Sequence, residues 1–221
     1  MMTRIPRRIV AFTLVELIVT MGIIAILVAI ALPALSSAMQ HANCAVCSVR
    51  MRSLGMAFHV YASDHNDQLP GRVTGAGNEK WPLLLLPYVQ DQRCYADPGD
   101  PVASSMPTTN LVSNTANNSS FFFNGFNDLG FYTNPTATVG IVNLNNMSSL
   151  FLLGQQIHGS HQYYMDFVEG NEDDILNKTA YFNGANYVYA DGSAAFVTLA
   201  NYDNRQWLVN QAYTIPVVPG H

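Results

Sequence analysis

Charged side chains are scarce in this sequence. Asp, Glu, Lys and Arg make up 11% of the 221 residues, with ten basic residues against fifteen acidic ones. Three of the ten, Arg4, Arg7 and Arg8, precede residue 12, so a chain without residues 1–11 would keep seven. After them, Arg50 and Arg52 form the one close basic pair. Binding of nucleic-acid phosphates needs clustered Lys and Arg, so the composition argues against nucleic acid as the main partner.

Cysteine is also rare, and no internal repeat is visible. The three cysteines are Cys44, Cys47 and Cys94, so at least one of them has no partner within the chain. No Gly-x-Ser-x-Gly elbow of a serine hydrolase occurs. One polar cluster has the residue types of a hydrolase active site, namely serine, histidine and aspartate. Such residues are also typical of the turn that ends a helix, which is the interpretation we favour here: Ser53, His59, Ser63, Asp64, His65 and Asp67. We therefore expect a protein without enzymatic activity.

A long apolar stretch runs from Phe12 to Leu35, and Glu16 is its single ionisable side chain. About 20 mostly apolar helical residues are enough to cross a bilayer. The basic residues before this stretch predict that the N-terminus stays in the cytoplasm and that the chain after Leu35 is exported. A carboxylate inside a span costs about 2.5 kcal/mol or more, so Glu16 indicates a function.

The apolar stretch is predicted to continue into one helix over residues 12 to about 64. Pro33 lies inside this helix and lacks a backbone donor, which predicts a local kink. From residue 34 to residue 64 there is no further proline and one glycine, Gly55. Apolar residues recur there at steps of mostly three and four, which predicts a face packed on a core: Leu35, Met39, Ala42, Val46, Val49, Leu54, Phe58 and Tyr61.

The chain after the helix has the pattern of short strands. We predict one or two helical turns over residues 81–89, strands near residues 121–126, 140–144 and 149–156, and loops over 94–120 and 166–177. The clearest hairpin is residues 187–199, where Asp191-Gly192 favours a two-residue type I′ turn. Residues 200–221 have the composition of an irregular tail. The predicted fold class is α+β, a long N-terminal helix packed on a small antiparallel sheet.

The N-terminal residues resemble those of type IV prepilins and type II secretion pseudopilins. The shared features are a short basic leader, a small residue, the sequence Phe-Thr-Leu-hydrophobic-Glu and an apolar helix; here Ala11 stands where glycine is usual, followed by Phe12 to Glu16. The resemblance implies a type IV pilin-like fold, cleavage after Ala11 by a prepilin peptidase, and N-methylation of Phe12. It also implies assembly with other pilin-like subunits by an inner-membrane platform into a helical filament.

This resemblance gives Glu16 a role. Cleavage would create an α-amino group on Phe12, and a buried carboxylate needs a partner charge because breaking such a pair costs about 3–5 kcal/mol. The Phe12 amine of a neighbouring subunit would neutralise Glu16 and set the stagger between helices. Pro33 is the other residue that we assign to the assembly helix, because pilin-like helices often carry a proline near this place.

The exported part resembles a large bacterial pseudopilin-like family. The matching segments are Cys47 to Gly55, Tyr61 to Asp64, Leu69-Pro70, Trp81, Pro87-Tyr88, Arg93 to Pro98 and the C-terminal Gly184 to Gly192. Both Cys47 and Cys94 match cysteine positions of that family. In the oxidising exported compartment this implies a candidate disulfide between Cys47 and Cys94.

Two groups of side chains have metal-ligand chemistry. His41, Cys44 and Cys47 are spaced three apart, but consecutive steps of three drift around a helix, and we expect no metal there. The acidic loop offers oxygen ligands for Ca²⁺ from Asp166, Glu169, Glu172, Asp173 and Asp174. Some major pseudopilins bind calcium in a C-terminal loop. A solvated loop without bound calcium is the simpler interpretation.

Together these features predict a pilin-like structural subunit in the bacterial inner membrane, with the C-terminal part in the periplasm. Its segments are a leader (1–11), a transmembrane and filament-core helix (12–35), the exported half of that helix (36–64), a β-rich domain (65–199) and the tail (200–221). One alternative is a minor or tip subunit that binds a ligand at residues 94–120 and 158–177. Another, a membrane-anchored hydrolase, is disfavoured.

Overall fold

The computed structural model describes residues 13–72, 79–107, 112, 117–126, 138–165 and 172–209. The chain divides into two compact units, residues 1–40 and residues 41–221. In the first unit every described residue except Thr13 belongs to helix α1 (Leu14–Asp64), and this helix includes Pro33. The predicted cleavage residues Ala11 and Phe12 lie outside the described part of the chain.

The second unit combines the end of α1 with short helices and strands. The described residues form helices α2 (Trp81–Leu85), α3 (Pro101–Ser105) and α4 (Glu172–Ile175). They also form four 3₁₀ helices at Leu86–Tyr88, Gln92–Tyr95, Ile141–Asn143 and Asn204–Trp207. The strands are β1 (Phe121–Asn124), β2 (Phe151–Gln155), β3 (Tyr164–Met165), β4 (Gly184–Tyr189) and β5 (Ala194–Thr198). This confirms the α+β class and the long apolar helix.

The sheet is mixed rather than antiparallel. Its five strands follow the order β3-β1-β2-β4-β5, and the pairs β1/β2, β2/β4 and β4/β5 are antiparallel as predicted. However, β3 runs parallel to β1, with Phe123 opposite Tyr164 and Asn124 opposite Met165. The sequence did not indicate this edge strand, because two residues are too short to show alternation of polar and apolar side chains.

The buried face of α1 differs in part from the predicted one. Leu54, Phe58 and Tyr61 are buried as expected, but Val46 and Val49 are 44% and 67% exposed. The buried residues are instead Cys47, Met51, Leu54, Gly55, Ala57, Phe58, Tyr61 and Ala62. At Gly55 the helix comes so close to β4 that an added Cβ would lie 2.7 Å from Cγ1 of Val188. Both sets of residues are apolar, and contact with the sheet determines which set of α1 side chains is buried.

The predicted hairpin is confirmed, but its turn is of another type. A type I′ turn needs positive φ at both central residues, whereas here Gly192 has a φ of +82° and Asp191 is not among the described residues with positive φ. The Gly192 amide donates to the Tyr189 carbonyl (2.9 Å), and the Tyr189 amide to the Ser193 carbonyl (2.8 Å). This is the longer loop with a glycine bulge, held by the Asp191 carboxylate, which accepts from the Ser193 amide and hydroxyl.

Three further predictions are corrected by the structure. Residues 140–144 form a 3₁₀ turn with one bridge from Gly140 to Gln68 rather than a strand. The loop over 94–120 contains α3, which starts because Asp100 caps the Val102 and Ala103 amides and proline stands at the first helical position. The acidic loop contains α4, and its Glu172 and Asp173 pair with Lys178.

Apolar side chains cover both faces of the sheet. One core cluster joins α1 to α2 and to one face, with Phe58, Trp81 and Phe123 in mutual ring contact. The other cluster packs Trp207 against Phe122 and other aromatic residues of the opposite face. The segment predicted as an irregular tail therefore contributes Trp207, Leu208 and Val209 to the core; residues 210–221 lie outside the described part.

Candidate functional site

The N-terminus of α1 is closed by a capping box. Thr13 precedes the first helical residue, and its backbone amide and hydroxyl both donate to Oε2 of Glu16, at 2.9 Å and 2.8 Å. The Glu16 amide returns a contact of 3.3 Å to the Thr13 hydroxyl. Such reciprocal bonding satisfies donors that a helix start leaves free. This role of Glu16 was not predicted, although the Thr-x-x-Glu spacing is a signal for it.

From Leu14 to Gln40, α1 presents an apolar surface on all sides. Every residue of this segment is exposed, including ten with isoleucine or leucine side chains. The helix is long and apolar enough to cross a membrane, with a mean hydropathy of 2.7 over its most apolar window. Thr20, a polar side chain within the span, donates to the carbonyls of Glu16 and Leu17 at 2.9 Å each, so its hydroxyl is satisfied within the helix.

The disulfide predicted between Cys47 and Cys94 is not formed, and all three cysteines are free thiols. Cys47 is fully buried and accepts a 3.4 Å contact from the Gln155 amide. Burial raises the pKa of the Cys47 thiol well above its usual range. Cys94 is half-buried and lines a separate groove with Ser53 and Met56. The two thiols thus have different surroundings in this structure.

The two groups of side chains with metal-ligand chemistry, where we expected no metal or only a solvated loop, form no cluster among the described residues. His41 contacts the Phe182 ring in a tilted arrangement, at 4.2 Å between centroids, and the Cys44 carbonyl accepts from Asn186 (3.1 Å). Among the described residues no three His, Cys, Asp or Glu side chains are grouped in a way that could hold a metal ion. Of the acidic-loop residues considered for calcium, Asp166 and Glu169 lie outside the described part.

The residues that mimic a hydrolase site are not brought together. The Ser53 hydroxyl donates to the Val49 carbonyl (3.1 Å), and Nδ1 of His65 contacts the Tyr61 carbonyl at 2.8 Å. Elsewhere, Nδ1 of His158 lies 3.1 Å from Asp100, and Ser120 donates to the other oxygen of the same carboxylate at 2.9 Å. In nucleophilic catalysis the histidine must contact the serine. Here the Asp100 carboxylate lies between His158 and Ser120.

The same contact joins two stretches that the sequence suggested as a ligand surface. Asp100 belongs to the first stretch and His158 to the second, and His161 is held by the Asn117 carbonyl at 3.0 Å. The sequence alone gave no reason for either histidine to be fixed. The contact is made possible by β1 and β2, which lie between the two stretches and pair antiparallel.

A buried polar cluster centres on Asp97, which is 5% exposed. One carboxylate oxygen accepts from the Tyr181 hydroxyl and from the Gly99 amide (2.9 Å), and the other accepts from the Gln155 amide. Burial raises the pKa of Asp97, and these three donors partly offset the rise. Gln155 in turn accepts from the Asn186 backbone amide at 2.7 Å, which ties the cluster to β4.

Substitution of Tyr181 by Phe is expected to destabilise the protein by about 1–3 kcal/mol at neutral pH, because a buried carboxylate loses a donor. The raised pKa means that the stability contributed by Asp97 is complete below the unfolded-state pKa, about 3.9, and is lost as pH rises through the folded-state pKa. Loss of the Tyr181 donor raises the folded-state pKa further. Urea unfolding of the full chain in detergent, at neutral and acidic pH, measures both effects.

The matched control is Tyr95→Phe, which removes a buried hydroxyl whose acceptor is the uncharged Pro82 carbonyl, 3.0 Å away. We expect its cost to be the same at both pH values. Equal pH dependence in the two variants would show that the Asp97 charge does not govern the stability of this cluster.

Comparison with family models, with curated proteins and with solved structures finds no match for this chain.

Proposed function

We propose that this chain is a pilin-like structural subunit, anchored by α1 in the bacterial inner membrane with its C-terminal unit in the periplasm. In this proposal a prepilin peptidase removes residues 1–11. An inner-membrane platform then assembles the product with other pilin-like subunits into a type II secretion or type IV pilus filament. The observation that carries the proposal is the apolar surface of α1, which is exposed on all sides from Leu14 to Gln40. Glu16 lies in the first turn of this helix and accepts from the Thr13 amide. In water such a surface needs a cover, and lipid or further helices provide one.

Mass spectrometry of the protein recovered from its native host tests the proposal. We expect a mature chain that begins at Phe12 and carries one methyl group. Replacement of Ala11 by Glu is expected to leave nearly all of the protein uncleaved, because the prepilins that this N-terminus resembles have a small residue at this position. Ala11→Gly, which keeps a small residue, is expected to be processed like the natural chain. A mature protein with an intact leader and no methyl group would contradict the proposal.

A second candidate function is a minor or tip subunit that binds a ligand. It is favoured by the contact between Asp100 and His158, which joins the two stretches that the sequence suggested as a binding surface. Both candidates use the same anchor, so they differ only in the task of the second unit.

A further inference from the structure

Two arginines of different elements face one cleft in the second unit. Arg50 lies on α1, and Arg93 lies on the 3₁₀ helix Gln92–Tyr95. The cleft has a volume of about 460 Å³ and is otherwise formed by the segment that leads into and through α3. Its lining is Arg50, Arg93, Ala96, Pro98, Ala103, Ser104, Met106 and Pro107. The described lining side chains are thus uncharged except for the two guanidinium groups.

The Arg50 side chain is held in place by the protein. It is half-buried, and its Nη1 donates to the Ala96 carbonyl at 2.8 Å, a contact between residues 46 apart in the sequence. A guanidinium carries five N–H donors in a rigid fork, so one bond to Ala96 leaves most of them available. Fixing the fork in advance lowers the entropy lost when a planar oxyanion binds.

The cleft contains no carboxylate of its own. Within the described part of the chain, neither Arg50 nor Arg93 forms an ion pair. The nearest acid along the chain, Asp91, lies outside the lining and accepts from the Arg93 backbone amide (2.9 Å). Asp97 and Asp100 already accept hydrogen bonds from buried groups. The next 27 residues, 101–127, include no Asp or Glu. In a chain with fifteen acids and ten basic residues, a lining with two arginines and no carboxylate among the described residues is a local excess of positive charge.

We propose that this cleft is a binding site for an oxyanion, the carboxylate or phosphate group of a ligand, held by Arg50 and Arg93. Guanidinium groups match the geometry of both oxyanions and bind them through charge-assisted hydrogen bonds. The apolar wall of Met106 and Pro107 accommodates the uncharged part of the ligand. The group comes either from a free solute or from an acidic segment of a second copy of the chain. The site does not depend on processing or assembly of the chain.

Isothermal titration of the full chain in detergent with inorganic phosphate, with citrate, and with a peptide of residues 166–177 tests the proposal. We expect saturable binding that Arg93→Gln weakens about tenfold, equivalent to about 1.4 kcal/mol. Arg50→Gln is expected to do the same, and the double variant to bind nothing. Binding of the peptide without binding of either solute would assign the oxyanion to a second copy.

Arg52→Gln is the matched control, because Arg52 is on the same helix but lines another concavity with His59 and Asp191. It should bind like the natural chain. Arg93 is exposed and its side chain has no bond within the described residues, so its substitution keeps the test valid even if Arg50→Gln unfolds the protein. Equal weakening by Arg52→Gln, unchanged binding by Arg93→Gln, or no binding of any of the three probes would overturn the proposal.

Discussion

Replacement of Glu16 by Gln is expected to abolish filament assembly while the protein stays in the membrane. In the proposed filament core this carboxylate faces little water and is neutralised by the Phe12 amine of a neighbouring subunit. Removal of one partner of a buried pair costs about 3–5 kcal/mol, because the other charge remains uncompensated. Over many identical interfaces such a cost prevents growth. Counting of sheared filaments, together with the amount of protein in the membrane fraction, measures the two effects separately.

The capping box found at Glu16 makes the choice of variant important. Glutamine at this position of a capping box still bonds the backbone amide of Thr13, whereas alanine does not. Glu16→Gln therefore removes the charge and keeps the cap. The complementary variant is Thr13→Ala, which keeps the charge and weakens the cap at a cost of about 0.5–2 kcal/mol. We expect Thr13→Ala to assemble with a modest loss. Normal assembly of Glu16→Gln would mean that Glu16 acts through its own helix and that the pairing between subunits is wrong.

The long helix could be predicted from sequence because its signals are local. The apolar run, the small number of prolines and the repeat of apolar residues all lie within one segment, and α1 ends at Asp64. Its buried face could not be predicted in full, because Val49 is as apolar as Met51. Contact with the sheet decides between them, and Met51 is buried while Val49 is 67% exposed.

The Asp97 cluster could not be predicted, since its members are far apart in the sequence. Cys47, Asp97, Gln155 and Tyr181 belong to four segments, and the pairing of β2 with β4 brings Gln155 towards the segment before β4. No local pattern marks a buried acid in the sequence. By contrast, Asp191-Gly192 predicted the hairpin correctly, although not the type of its turn, because a glycine in the left-handed region is a local requirement.

Replacement of Trp207 by Ala is expected to destabilise the second unit by about 3–5 kcal/mol, the usual cost of removing a large buried aromatic residue. Trp207 is 1% exposed, and its ring lies 5.3 Å from Phe122 and 5.1 Å from Phe151 between centroids. Its carbonyl accepts from the side chain of Asn124 on β1 (2.9 Å), and its Nε1 donates to the Tyr202 hydroxyl (3.0 Å). For a chain of this size the loss corresponds to a melting temperature lower by on the order of 10 °C.

The fluorescence of Trp81 is a suitable measurement, because the sequence has two tryptophans and Trp81 belongs to the other core cluster. Phe196→Ala is the control, since Phe196 is 41% exposed on β5 and its truncation should cost less than about 1 kcal/mol. If Trp207 only covers the surface, its loss will leave the Trp81 transition unchanged, and residues 200–209 will be a dispensable tail after all. If the two clusters unfold as one because β1 contributes Phe122 to one and Phe123 to the other, the Trp81 transition will shift in full.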